Sequence, residues 1–215
     1  MYSLRFIKRT HICSDIWKYS FTADRLVDFI PGQYADFYIG KTFRTMTITS
    51  LPGEQHIEFI TRHPSPQSSY KHELEHLQKG DQVSMSDTLG DMILPRNTSV
   101  NMLFIMGGIG LASVVPLLKQ QLYFEPRVRD CSLLWAHKPG EAALYETEIG
   151  QFPFREMVSY VSPQRLVFTD ITHRLDDVTR IYLSGTQPFV EHFLAELRNH
   201  GITDDRIAFD YFTGY

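Results

Sequence analysis

The chain has only two cysteines in 215 residues, Cys13 and Cys131, too few for a disulfide framework or for the four thiolates of an iron–sulfur cluster. Each reads as a small buried hydrophobe. An excess of one charge is also missing. Lys and Arg number 21 against 25 Asp and Glu, which argues against a broad nucleic-acid footprint or a polybasic membrane surface. No apolar run approaches the roughly 20 residues of a membrane span. Residues 1–9 alternate like a strand, unlike a signal peptide, so the expected location is cytoplasmic. There is no internal repeat and no low-complexity segment. What remains is a chain longer than one typical domain, suited to two small ones that each bury a core.

Residues 1 to about 96 show short alternating segments at 3–9, 16–23, 34–40, 44–50, 55–61, 82–86 and 90–94, read as strands. Turn chemistry interrupts them at Pro31-Gly32, Pro52-Gly53 and Gly80-Asp81, which predicts an antiparallel barrel or sandwich. One amphipathic helix intrudes, capped by Ser68 or Ser69, with Leu74 and Leu77 inward, ending near Gly80. Lys71, Glu75, Gln78 and Lys79 read as its solvated face. His72-Glu73-Leu74-Glu75-His76 on the same helix fits H-E-x-x-H, the pattern in which two imidazoles one turn apart hold zinc and the glutamate activates water. A zinc hydrolase is therefore one candidate function, set against a surface helix with incidental histidines.

From residue 100 the rhythm changes. Val100 to Met106 form a nearly continuous apolar run, as a parallel strand covered on both faces requires. Gly107, Gly108 and Gly110 come next, a turn that permits close backbone approach and can present free amides to an anion; tight packing is the competing reading. A helix is expected over about 111–123, strands at 131–136, 166–169 and 180–184, a helix over about 187–200 and a last strand near 206–212. That order is a doubly wound α/β sheet, in which ligands bind beyond the carboxyl ends of strands. The turns at 107–110 and at Ser184-Gly185-Thr186-Gln187 both lie at such ends and converge on one predicted crevice. Lys138, after the second strand of this sheet, is placed to meet a ribose 2′-phosphate or simply to stay solvated.

Several ordered segments resemble the ferredoxin–NADP reductase superfamily. Arg44-Thr45-Met46-Thr47, with Pro31-Gly32-Gln33 ahead of it, is similar to the family's flavin-binding Arg-x-Tyr-Ser/Thr, with Met46 in place of the stacking tyrosine. The segment from Ile57 through Thr61-Arg62, Ser68-Ser69 and Gly80-Asp81 resembles the family's next stretch, in which a helix start receives the FAD pyrophosphate. The glycine turn is similar to Gly-Gly-x-Gly-x-Thr-Pro, with Ala112 and Ser113 for the last two residues. Ser184-Gly185 resembles Cys-Gly-Pro, with serine for cysteine.

The resemblance implies an FAD-binding, Greek-key antiparallel β-barrel domain over 1–97 and an NAD(P)-binding doubly wound α/β domain over 98–215, with the boundary near Arg96-Asn97-Thr98-Ser99. It implies an NAD(P)H-dependent flavin oxidoreductase with FAD held noncovalently, NADPH or NADH as co-substrate, and an electron acceptor or donor that includes small redox proteins among its candidates. Thr47, Ser184 and Tyr215 take the catalytic places. Arg44, Thr45, Met46, Thr47, Thr61, Arg62, Ser68 and Ser69 would hold the flavin, and Gly107, Gly108, Gly110, Gly185 and Thr186 the nicotinamide dinucleotide. The terminal Tyr215 would lie over the flavin, or serve as a packing anchor. A flavin- or nucleotide-binding module without turnover stands as a further reading.

Overall fold

The structure, a computed structural model, describes residues 1–95, 100–123 and 130–212. Its contacts divide into two compact units, Met1–Ile93 and Leu94–Tyr215. The boundary expected at residues 96–99 lies outside the described residues.

In the first unit six antiparallel strands form one sheet: β1 (Tyr2–Cys13), β2 (Ile16–Ala23), β3 (Tyr34–Ile39), β4 (Thr42–Thr47), β5 (Ile57–Arg62) and β6 (Gln82–Met85), in the spatial order β4-β3-β6-β1-β2-β5. The two edges meet. Just past β4, Thr49 donates its backbone N–H to the Glu58 carbonyl of β5 at 2.8 Å, curling the sheet toward closure. Alternate residues point inward and fill the interior with rings. Phe37 and Phe59 pack edge to face at 4.7 Å, and Tyr19, Phe21 and Phe6 extend the cluster. Helix α1 (Ser69–Glu75) packs into this core, with Tyr70 and Leu74 wholly buried. It stops short of Gly80.

The strand expected at 90–94 is not one. Met92 and Leu94 are buried in alternation, yet this segment joins no ladder, and only Leu89 bridges to Tyr34. Gly90 has φ +111° and stands against the Tyr34 ring, whose carbon lies 2.9 Å from where a β-carbon would be, so the chain turns off the sheet there.

The second unit is a five-stranded parallel sheet ordered β11-β10-β7-β8-β9, comprising β7 (Met102–Gly107), β8 (Cys131–His137), β9 (Glu156–Val161), β10 (Arg180–Thr186) and β11 (Ile207–Phe212). A 3₁₀ turn over Gly108–Ser113 leads into α2 (Val115–Tyr123), followed along the chain by α3 (Glu146–Gln151), α4 (Phe168–Thr172) and α5 (Gln187–Asn199). Val190, Phe193 and Leu197 of α5 pack on Leu103, Ile105, Ile181 and Leu183.

The strand expected at 166–169 is replaced by α4, whose start is fixed by Asp170 accepting the Val167 N–H at 3.0 Å. The fifth strand is β9. It lies at the sheet edge with most side chains exposed, so it lacks the continuous apolar run that marks a central parallel strand. No described helix is long and apolar enough to cross a membrane.

Candidate functional site

The barrel unit gathers its candidate residues where β4, β5 and the start of α1 approach one another. On β4, Arg44 is half-buried. Its guanidinium stands 5.6 Å from the centre of the Tyr70 ring, cation–π distance, and one nitrogen donates to the Phe43 carbonyl at 2.8 Å. Thr45 is turned away and exposed, its hydroxyl donating to Asp36 at 2.6 Å. Met46 belongs to the buried core of the barrel, and Thr47 is buried beside it.

Thr61 and Arg62 separate to opposite faces of β5. Arg62 pairs with Asp15 at 2.7 Å, while the buried Thr61 hydroxyl accepts a hydrogen bond from the Lys71 ammonium. Ser68 is the helix cap, accepting the Lys71 N–H at 3.4 Å, and Ser69 is the exposed first residue of α1.

Two residues outside the sequence motifs complete this cluster. Tyr70 is fully buried, and its hydroxyl has no partner among the described residues. Lys71, expected on the solvated face, is 4% exposed. The signal in the sequence is its spacing: three residues before Leu74 it falls on the same inward stripe of the helix. Burial, reinforced by the Arg44 guanidinium and opposed by Asp15, brings the Lys71 ammonium down to about 7. Nearby His63 accepts from or donates to the Tyr19 hydroxyl at 2.8 Å, and burial followed by Lys71 lowers its value below that of a free imidazole.

The zinc-like histidines behave differently. His72 and His76 stack at 4.2 Å, and His76 caps the helix with Nδ1 on the His72 carbonyl at 2.7 Å. Glu73 instead reaches Thr42 at 3.4 Å, and among the described residues no group of three His, Cys, Asp or Glu side chains is placed to hold a metal ion.

In the sheet unit the glycines explain themselves first by contact. A β-carbon on Gly110 would fall 2.5 Å from the Ser184 carbonyl oxygen, and one on Gly185 would fall 2.8 Å from the Phe189 ring and 3.2 Å from the α-carbon of Gly107. Gly108 has φ +53°, and its carbonyl accepts from Trp135 Nε1 at 3.0 Å. The carboxyl ends of β7 and β10 therefore meet backbone to backbone, and the turn continues into a buried 3₁₀ helix before α2 begins.

Ser184 is buried with its hydroxyl 3.1 Å from that of Ser113, which in turn donates to Asp210 at 3.3 Å. Neither Ser113 nor Asp210 belongs to the site residues expected from sequence. Thr186 is the exposed N-cap of α5 and makes no side-chain cap bond. Lys138 is exposed. Tyr215 lies outside the described residues.

No family model matches the chain. It is 26% identical over 214 residues to the reductase component of propane 2-monooxygenase from Mycolicibacterium goodii, covering 86% of this chain and 60% of that protein. It is 25% identical over 203 residues to the ferredoxin–NAD(P)(+) reductase component of the naphthalene 1,2-dioxygenase system of Pseudomonas putida, covering 86% and 61%. The chain thus spans about three-fifths of the length of these curated relatives. Its fold matches ferredoxin–NADP+ reductase from Plasmodium falciparum with a TM-score of 0.82 over 98% of this chain and 95% of that one, at 13% identity. An antiparallel barrel followed by a five-stranded parallel sheet, and similarity to reductase components over 86% of the chain, are what this chain shares with proteins of the ferredoxin–NADP reductase type.

Proposed function

We propose that the chain is an FAD-dependent oxidoreductase that exchanges a hydride with NADH or NADPH and passes electrons to a second partner, a small redox protein or a small-molecule acceptor. The observation that carries this reading is the similarity to reductase components across 86% of the chain. The proposed division of labour is FAD in residues 1–97 and the nicotinamide dinucleotide in 98–215, supported by the partition of contacts into a barrel unit and a parallel-sheet unit.

The residues of the barrel fit an anionic cofactor. Arg44 is half-buried and has no carboxylate partner among the described residues, and the Tyr70 hydroxyl beside it is buried without a hydrogen bond. Arg44 would grip the diphosphate with its planar fork. The buried Thr47 hydroxyl would line the flavin ring's place, and Ser68 holds the start of α1 in position for the same ligand. Bound FAD would supply hydride acceptance and the release of electrons singly or in pairs.

In the sheet unit the carboxyl ends of β7 and β10 would receive the dinucleotide, as such ends do in doubly wound sheets. Their glycines keep the backbone low there, and Ser184 is held by Ser113 in a fixed orientation. A cytoplasmic location is proposed as well, consistent with two buried cysteines that form no disulfide.

Purified protein is expected to be yellow and to bleach anaerobically on addition of NADH or NADPH, followed at the flavin absorbance band. Yellow protein that neither nucleotide bleaches would make the chain a flavin-binding module. Colourless protein with one zinc per chain would overturn both readings.

A further inference from the structure

We propose that Lys71 is a second phosphoryl-binding cation of the barrel unit, acting with Arg44, so that the unit selects flavin nucleotides over the bare flavin by their phosphate groups. The proposal rests on the flavin reading above and on buried polar groups whose bonding needs the barrel leaves unmet.

Lys71 sits inward on α1 beside Leu74, 4% exposed, and its one hydrogen-bond partner among the described residues is the neutral hydroxyl of Thr61. Among those residues no carboxylate pairs with it. The opposite charge that acts on it, Asp15, is already engaged by Arg62 at 2.7 Å.

Its position adds two further costs. As the third residue of the helix it stands at the end where the peptide dipoles are positive, and a guanidinium acts on it from β4. A buried cation without an anion is expensive, and a hydrocarbon side chain of the same length would fit this stripe at less cost. The residue immediately before it, Tyr70, buries a hydroxyl that has no partner among the described residues.

Two cations and one phenol O–H therefore lie near the β4–α1 contact with only neutral acceptors, and no anion, among the described residues to receive them. A phosphoryl group, with several strong acceptor oxygens and negative charge, satisfies all three. The ring system of riboflavin carries no such group.

The test is a fluorescence-quenching titration of the full-length chain, freed of any bound flavin, with FAD, FMN and riboflavin at pH 7, for wild type, Lys71→Met and Lys71→Gln. Both variants should lose about 10- to 100-fold in affinity for FAD and FMN, the range for a charge-assisted hydrogen bond, and keep the wild-type affinity for riboflavin. Unchanged FAD affinity in both variants would overturn the proposal, as would an equal loss for riboflavin, which would mark Lys71 as structural.

If wild type binds no flavin, the flavin reading fails, and inorganic pyrophosphate decides the anion site alone. A rise in melting temperature with pyrophosphate in wild type that is absent from Lys71→Met supports the site, and no rise in wild type rejects it.

Discussion

The two units treat their buried polar groups in opposite ways where the candidate residues gather. In the barrel, among the described residues, the Lys71 ammonium has a single neutral partner, the Tyr70 hydroxyl has none, and Arg44 leans on a ring and a carbonyl. At the carboxyl ends of β7 and β10, Ser184, Ser113 and Asp210 satisfy one another, Trp135 donates to Gly108, and Gly110 and Gly185 leave no room for a β-carbon. The first site is chemically incomplete and the second is closed on itself. Incompleteness of this kind marks a place for a ligand more clearly than a motif does, because an unpaired buried charge needs compensation and a glycine turn does not.

The sharpest way to break this contrast is at Arg44. Arg44→Met should weaken FAD binding by roughly 1.5–3 kcal/mol with little change in apoprotein stability, since its present contacts are a ring and a neighbouring carbonyl. Isothermal titration with FAD, paired with a thermal melt, checks both halves; a large drop in melting temperature with intact affinity would reverse the assignment.

Gly110→Ala should do the opposite. Its β-carbon meets the Ser184 carbonyl at 2.5 Å, so it is expected to cost about 1–3 kcal/mol of stability, read by urea unfolding, while FAD affinity of the folded fraction stays at the wild-type value. Ser113→Ala is a smaller step of about 1 kcal/mol, and combining it with Ser184→Ala should cost less than the sum, because the two hydroxyls share one bond.

A separate effect is one of pH. The Lys71 ammonium titrates near 7 in the folded chain against 10.5 ordinarily. Between those values the unfolded chain holds the proton that the folded one has released, so stability of the flavin-free protein should rise with pH across that window. Burial and then Arg44 lower the folded value, Asp15 raises it, and neighbouring His63 stays neutral here. A melting temperature that climbs from pH 7 to 10 in wild type and more steeply than in Lys71→Met is the expected result. Parallel profiles for the two proteins would remove Lys71 as the cause.

Much of the architecture is legible in the sequence because periodicity carries it. The alternating barrel strands, the apolar run of β7 and the helix over Gln187–Asn199 all come directly from where hydrophobic residues recur. The edge strand β9 is not legible, since four of its six side chains are exposed and supply no apolar run. The segment at 90–94 misleads in the other direction, alternating in burial while forming no ladder.

In the candidate site, Arg44, Thr47 and Thr61 come from pattern. Lys71 is hidden by its own charge: a lysine on a helix is read as solvated, and only its three-residue spacing from Leu74 contradicts that. Ser113 and Asp210 lie 97 residues apart, and nothing local in either segment announces that β11 brings them together.

The Ser113–Ser184–Asp210 contact fixes something finer than position. Asp210, as a carboxylate, only accepts, so the single hydroxyl hydrogen of Ser113 points to it. Ser113 then has only lone pairs for Ser184, whose own hydrogen must turn toward Ser113. The chain of three is a one-way wire, every hydrogen aligned toward the carboxylate, and it leaves Ser184 able to offer any further group a lone pair and never a proton.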